Sequence, residues 1–281
     1  MPRINKLNTF ILLIMLCAFS NSFAKSIITI GPTASSITST FDNKDIIGSD
    51  LESVKKISKH GNTHVKNIGY MRALTIESIV ALKPDIVIVD PSASPASVIN
   101  RLNNFGIKTI RLRKANNLND VKENILTIAN ITDSKKAANK LIEKLDNQEN
   151  KTQEIINQYY KQKPNKTKPK VLLLLQISGN GAYLLGKNTI GDTWLKSVGA
   201  DNILGFTGMR PVSKEGLLSL KPSVVIVAQA NKKAAVPYKQ QLDFLHNQNG
   251  TKIAKLNAIR LDNFGSTFGS TKLQLAQKIY L

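Results

Sequence analysis

The sequence predicts an α/β protein of two Rossmann-like lobes, each built on a parallel sheet, joined by one long backbone helix. Three observations carry this expectation. Short apolar runs rich in β-branched residues alternate with helix-like segments. The alternation is interrupted once, by a stretch from Asp133 to Gln162 that holds no Pro or Gly. And one segment occurs twice: "GYMRALTIESIVALKPDIVIVD" at 69–90 returns as "GMRPVSKEGLLSLKPSVVIVA" at 208–228. Strand and helix in alternation imply a parallel sheet covered on both faces.

The first 24 residues stand apart. Arg3 and Lys6 precede the apolar run Phe10 to Phe19, and Ser22 and Ala24 are small residues spaced as a signal peptidase reads them. Residues 1–24 therefore read as a secretory signal cleaved near Ala24, and the run is short for a bilayer span. The lone Cys17 lies inside it and follows Leu16, where a lipoprotein signal wants a small residue. Cleavage would leave a chain without cysteine, which excludes disulfides, thiol catalysis and thiolate metal sites.

Residues 25–132 form the expected first lobe. Ser26 to Gly31, Asp45 to Gly48, Asp85 to Asp90 and Ile107 to Leu112 read as buried strands. A helix is expected from Thr75 to Leu82, stopped before Pro84, and another from Ala96 to Phe105, closed by Gly106. Residues 133–165 are the connecting segment, where Ala137, Ala138, Leu141, Ile142, Leu145, Ile155, Ile156 and Tyr159 recur at helical spacing. About 30 residues at 1.5 Å each give a helix roughly 45 Å long, more than one small domain needs. Residues 166–281 resume the alternation as a second lobe, with strands at Val171 to Gln176 and Val224 to Ala228 and a helix from Ile190 to Val198 closed by Gly199.

The repeat fits this duplication. At an offset of 138 residues, Met71–Val89 and Met209–Val227 share Met, Arg, Glu, Leu, Lys, Pro, Val, Ile and Val. In each copy Leu-Lys-Pro ends the helix and starts the strand, because proline lacks a donor and restricts the residue before it. That part is scaffold. The front of each copy carries chemistry: Met71-Arg72 and Met209-Arg210 open loops that, on facing lobes, line one cleft. Two guanidinium forks suit a pair of carboxylates. Tyr70 stands two residues before Arg72 and its counterpart is Gly208, an arrangement suited to a large flat ligand held from one side.

The net charge is +20, or +18 without Arg3 and Lys6. Such an excess suits nucleic acid, an anionic membrane surface or an anionic ligand. Scattered lysines, sparse aromatics and the absence of a recognised motif argue against nucleic acid.

On Gly69-Tyr70-Met71-Arg72-Ala73-Leu74, Glu77, Leu82-Lys83-Pro84-Asp85, Pro211-Val212-Ser213, Glu215 and Leu220-Lys221-Pro222, the chain resembles the haem-binding periplasmic proteins of bacterial haem-uptake ABC importers, within a group that also carries vitamin B12 and ferric siderophores. The resemblance implies a monomer that carries haem b as transported ligand. It places the axial iron ligand on Tyr70; a free phenol is protonated at neutral pH, so iron and the nearby Arg72 would favour the phenolate. Arg72 and Arg210 would contact propionates or that phenolate. It also places Glu77 and Glu215 against the two permease subunits, whose ATPase drives import. Where some relatives offer a histidine, this chain has Gln176-Ile177-Ser178-Gly179, so Gln176 and Ser178 join Met71 and Met209 as cleft candidates. A second axial ligand could be His60, His64 or water.

Vitamin B12 or a siderophore is the alternative cargo, since much of the motif set is shared. An enzyme is the competing class. Neither a Gly-x-Ser-x-Gly turn nor a phosphate-binding loop is present, and Gly179-Asn180-Gly181 reads as a tight turn. His60 and His64 have the spacing of a helical metal site, but Gly61-Asn62 between them argues for a loop.

Overall fold

The structure, a computed structural model, describes residues 25–41, 44–59, 61–162, 167–176, 182–211, 213–229, 242, 244–245, 247, 250–257, 261 and 264–281. The expected signal segment, His60, Ser178 and the Gly179–Gly181 turn lie outside these residues, as does the side chain of Gln176.

The first sheet contains β1 (Ile27–Ile30), β2 (Ile46–Ser49), β3 (Lys66–Asn67), β4 (Ile86–Val89) and β5 (Lys108–Arg111) in the order β3-β2-β1-β4-β5, every neighbouring pair parallel. β1 and β4 read IITI and IVIV and are buried throughout, as central parallel strands covered on both faces must be. Around the sheet pack α1 (Pro32–Phe41), α2 (Leu51–Lys59), α3 (Ile76–Val80) and α4 (Ala96–Arg101), the last tightening into a 3-10 turn over Leu102–Phe105. Gly106 closes that turn at φ 72°, a left-handed cap that glycine adopts at no steric cost.

α1 is not signalled by the sequence. Its PTASSITSTF composition is poor in strong helix formers. A distant residue supplies what it lacks: the buried Asp90 carboxylate accepts from the Thr33 and Ala34 N–H groups at 2.9 and 2.8 Å, capping the helix from the end of β4. Asp50 does the same for α2, accepting from the Glu52 and Ser53 N–H groups and also from Gly31. Gly31 sits between the two acids at φ 99°, and a Cβ there would meet Asp90 at 2.5 Å.

The long helix is α6 (Lys135–Gln162), preceded by α5 (Leu118–Thr132). The expected start at Asp133 moves by two residues, because Asp133 turns left-handed at φ 53° to close α5.

The second sheet contains β6 (Lys170–Gln176), β7 (Ala182–Leu185), β8 (Asp201–Asn202), β9 (Met209–Pro211), β10 (Val224–Gln229) and β11 (Lys252–Asn257). Its order is β11-β10-β6-β7-β9, with β8 also pairing β6. The β11, β10, β6 and β8 pairings are parallel, as expected, while β7 and β9 extend the sheet antiparallel. Helices α7 (Ile190–Ser197), α8 (Lys214–Leu220) and α9 (Phe268–Tyr280) complete this half.

One apolar cluster joins the halves. It runs from Ile27 and Ile88 of the first sheet through Ile125 of α5 and Leu141 and Leu145 of α6 to Val171, Trp194, Phe268 and Leu275. α9 lies against α6, where Lys272 and Glu149 form an ion pair at 2.6 Å. Trp194 is fully buried, stacks on Phe268 at 5.1 Å and donates its indole N–H to the Leu261 carbonyl at 2.9 Å.

Candidate ligand-binding site and docking face

The loop carrying Tyr70 and Arg72 leaves β3 through Gly69, whose φ of 102° is left-handed and whose N–H is held by Asn67. It then closes a turn with the Ala73 N–H on the Tyr70 carbonyl at 2.8 Å. Ser94, from the loop after β4, staples this turn. Its N–H donates to the Met71 carbonyl at 2.9 Å, its hydroxyl to the Arg72 carbonyl at 3.2 Å, and its carbonyl accepts from Leu74. Within the turn the side chains sort by polarity. Met71 and Leu74 are buried in the core with Ile30, Ile68, Ile79 and Val89. Tyr70, 47% exposed, and Arg72 stand outward. Met71 is therefore corrected from a cleft candidate to the apolar root of the loop.

The second copy has a different local form. Met209-Arg210-Pro211 was expected as a loop; it is β9, an edge strand pairing β7 with Arg210 opposite Leu184. Its edge position tolerates Pro211. Met209 is 54% exposed here, unlike Met71. Arg210 lies over the Phe206 ring, 4.5 Å from its centroid. A cation over an aromatic face at an exposed position is worth about 0.5–1 kcal/mol, enough to orient the guanidinium and little for stability. Phe206 is itself closely packed. Gly186, at the end of β7, leaves room for it: a Cβ at Gly186 would meet the Phe206 carbonyl at 2.4 Å and its ring at 2.7 Å. Phe206 and Gly186 went unmarked in the sequence, because neither falls inside the repeat.

Behind the Tyr70 loop and the edge strand β9 the copies converge. Thr75 caps α3 by accepting from Ser78 N–H, and Ser213 caps α8 by accepting from Gly216 N–H. Glu77 and Glu215 occupy the same place, second after the cap, and both are exposed. A carboxylate there is favoured by the helix dipole. Each helix is followed by a lysine in left-handed conformation, Lys83 at φ 48° and Lys221 at φ 44°, and then by Pro84 or Pro222. Asp85 ties the start of β4 to that of β1: it accepts from the Ser26 N–H at 2.8 Å and hydroxyl at 2.7 Å, and these bonds hold its carboxyl below the usual range.

His64 is exposed in a turn after α2, its N–H on Asn62, with Gly61 at φ 101° before it. Among the described residues, no group of three or more His, Cys, Asp or Glu is placed to hold a metal, and no helix is long and apolar enough to cross a membrane.

The comparisons with known proteins meet this architecture at residues 37–260, which match the periplasmic binding protein family model. The chain belongs to that family. A substrate-binding lipoprotein of an ABC transporter from Bacillus subtilis, YvrC, itself uncharacterized, is 25% identical over 187 residues, covering 65% of this chain and 55% of that one. The vitamin B12-binding protein of Salmonella paratyphi A is 25% identical over 167 residues, covering 58% of this chain and 59% of that one. The match thus spans little more than half the length of these curated relatives. Among solved structures, the periplasmic heme-binding protein BhuT in complex with two hemes superposes with a TM-score of 0.75 at 22% identity, covering 91% of this chain and 98% of that one. The fold is that of these binding proteins, with two sheets joined through a long helix.

Proposed function

We propose that this protein is a periplasmic haem carrier: it binds haem b between its lobes and delivers it to an inner-membrane ABC permease with its ATPase. The observation that supports this best is Tyr70, held outward beside Arg72 on a turn stapled by Ser94. In this reading the Tyr70 oxygen ligates ferric iron, and Arg72 and Arg210 meet the propionates or the phenolate. Met209, Gln176 and Ser178 contribute to the cleft, while His60, His64 or water is available for the opposite axial position. Glu77 and Glu215, one per lobe at matched helix starts, dock against the permease. The protein works as a monomer without catalysis, residues 1–24 are removed near Ala24, and the lobes are 25–132 and 166–281 joined by 133–165. The basic surface serves no nucleic acid.

The test is the absorption spectrum of the purified mature chain with and without haemin. Phenolate-bound ferric haem gives charge-transfer bands that histidine ligation does not, and a spectrum unchanged from free haemin defeats the reading. A corrinoid cargo is the second reading, favoured by the B12-binding relatives. Binding of cyanocobalamin in place of haemin would establish it.

A further inference from the structure

The turn that carries Tyr70 and Arg72 is anchored at both ends, and each anchor follows a buried acid by a few residues. At its start the Gly69 carbonyl accepts from the Leu51 N–H at 2.8 Å, and Leu51 is the residue after Asp50. Further on, Ser94 holds the Met71 and Arg72 carbonyls. Ser94 belongs to the loop that Asp90 opens, where the Ala93 N–H donates to the Asp90 carbonyl at 3.1 Å. Asp50 and Asp90 are both buried, and neither forms an ion pair among the described residues.

The two acids do more than cap α1 and α2. Asp50 divides its carboxylate: Oδ1 accepts from Glu52 and Ser53 of α2, whereas Oδ2 crosses to the Gly31 N–H at 2.8 Å. Gly31 in turn lies against Asp90, leaves no room for a Cβ, and receives the Ser35 N–H of α1 on its carbonyl. Asp90 completes the circuit by accepting from Thr33 and Ala34. Close by, the hydroxyls of Thr29, Ser35 and Ser49 form a buried triangle with sides of 2.9, 3.0 and 3.1 Å. The ends of β1, β2 and β4 and the start of α1 are thus one hydrogen-bonded unit. Placing two carboxyls there is costly: burial raises the Asp90 carboxyl to about 7, and the Asp50 charge adds to the rise. Helix caps alone need no such pair, since Thr75 and Ser213 cap α3 and α8 with hydroxyls.

We propose that Asp50 and Asp90 are positioning residues for the Tyr70 turn: joined through Gly31, they fix the spacing of its two anchors, Leu51 and Ser94, and so the direction of Tyr70 and Arg72. The consequence for haem rests on the carrier reading above, whereas the order imposed on the turn precedes any ligand.

The experiment uses the ligand-free mature chain labelled with 3-fluorotyrosine, the Tyr70 resonance being assigned by its loss in Tyr70→Phe. Asp50→Asn leaves one oxygen and turns an NH2 towards either Gly31 or the α2 N–H groups; Asp90→Asn sets the same conflict at Thr33 or Ala34. In both variants the Tyr70 signal should shift or split, and haemin should bind about fivefold or more weakly, since a buried N–H has lost its acceptor. Tyr280→Phe is the control. It removes a buried bond of the second lobe, from the Tyr280 hydroxyl to the Val198 carbonyl at 2.7 Å, so it should lower thermal stability while leaving the Tyr70 signal and haemin affinity unchanged. Amide hydrogen exchange of the unaltered chain needs no variant: Gly31, Ala34, Leu51 and Ser94 should show matched protection, as members of one cooperative unit. An unmoved Tyr70 signal in both acid variants overturns the proposal, and so does protection at Gly31 and Ala34 that Leu51 and Ser94 do not share. An equal change in Tyr280→Phe also overturns it, because general loosening would then suffice. A Tyr70 signal that responds as expected in a chain that binds no haemin upholds the positioning role and defeats the carrier reading instead.

Discussion

Arg210 rests on the face of Phe206, its guanidinium carbon 4.5 Å from the ring centroid, while Gly186 keeps the space behind that ring open. A fork held this way presents its donors in one direction before any ligand arrives, which lowers the ordering cost of binding a carboxylate.

Phe206→Leu keeps apolar packing and removes the aromatic platform. If Arg210 receives a propionate, the preference for free-acid haem over its dimethyl ester should shrink in this variant by about threefold, consistent with the modest value of an exposed cation–π contact. Arg210→Ala should cost about 1–3 kcal/mol in free-acid haem binding. Competition titrations with both haems read the two effects. Equal binding of acid and ester by the unaltered protein would defeat the propionate role.

Tyr70→Phe retains the ring and removes the oxygen. Haemin is expected to remain weakly bound in the cleft while the phenolate charge-transfer bands vanish. Ser94→Ala should give an intermediate result, since only the hydroxyl bond to the Arg72 carbonyl is lost and the two backbone bonds of the staple stay.

Charge reversal at Glu77 and Glu215 separates docking from cargo. Glu77→Lys with Glu215→Lys should leave haem affinity close to the unaltered value and abolish stimulation of the transporter ATPase in membranes, because both acids proposed for docking are replaced by the opposite charge. Loss of haem binding in the double variant would instead make these acids part of the cleft.

Stability should depend on pH through Asp90. Burial pushes its carboxyl from 3.8 up to about 7, with the nearby Asp50 charge adding to the rise, against the Thr33 and Ala34 N–H bonds that lower it. Between these two values the folded chain holds a proton that the unfolded chain has released. The stabilising contribution is therefore complete below 3.8, falls as pH rises, and is gone above about 7. The slope for one proton is about 1.4 kcal/mol per pH unit. Denaturant titrations from pH 4 to 8 should show this decline, and Asp90→Asn should flatten it.

Much of this architecture is visible in the residues themselves. The Leu-Lys-Pro triplets mark both helix ends, since a lysine locked before proline cannot continue a helix, and Thr75 and Ser213 are recognisable caps. The Pro- and Gly-free run gave the long helix to within two residues, Asp133 being taken by the cap of α5. What was hidden depends on partners far along the chain. α1 is held by Asp90, 57 residues away. β9 exists because β7 lies beside it, and Met-Arg-Pro alone has no strand signature. Met71 and Met209 are identical in the repeat yet one is buried and the other exposed, because a turn and an edge strand aim the same side chain differently.

The shared apolar cluster that runs through α5, α6 and α9 has a consequence for the repeat itself. Two copies of a segment suggest two autonomous units, but neither half could be cut free: separation would leave the flank of α6 bare to water on one fragment and its partners bare on the other. Exposed apolar surface of that kind drives self-association. The halves should thus melt in a single cooperative transition, so that whatever steadies one lobe steadies the other.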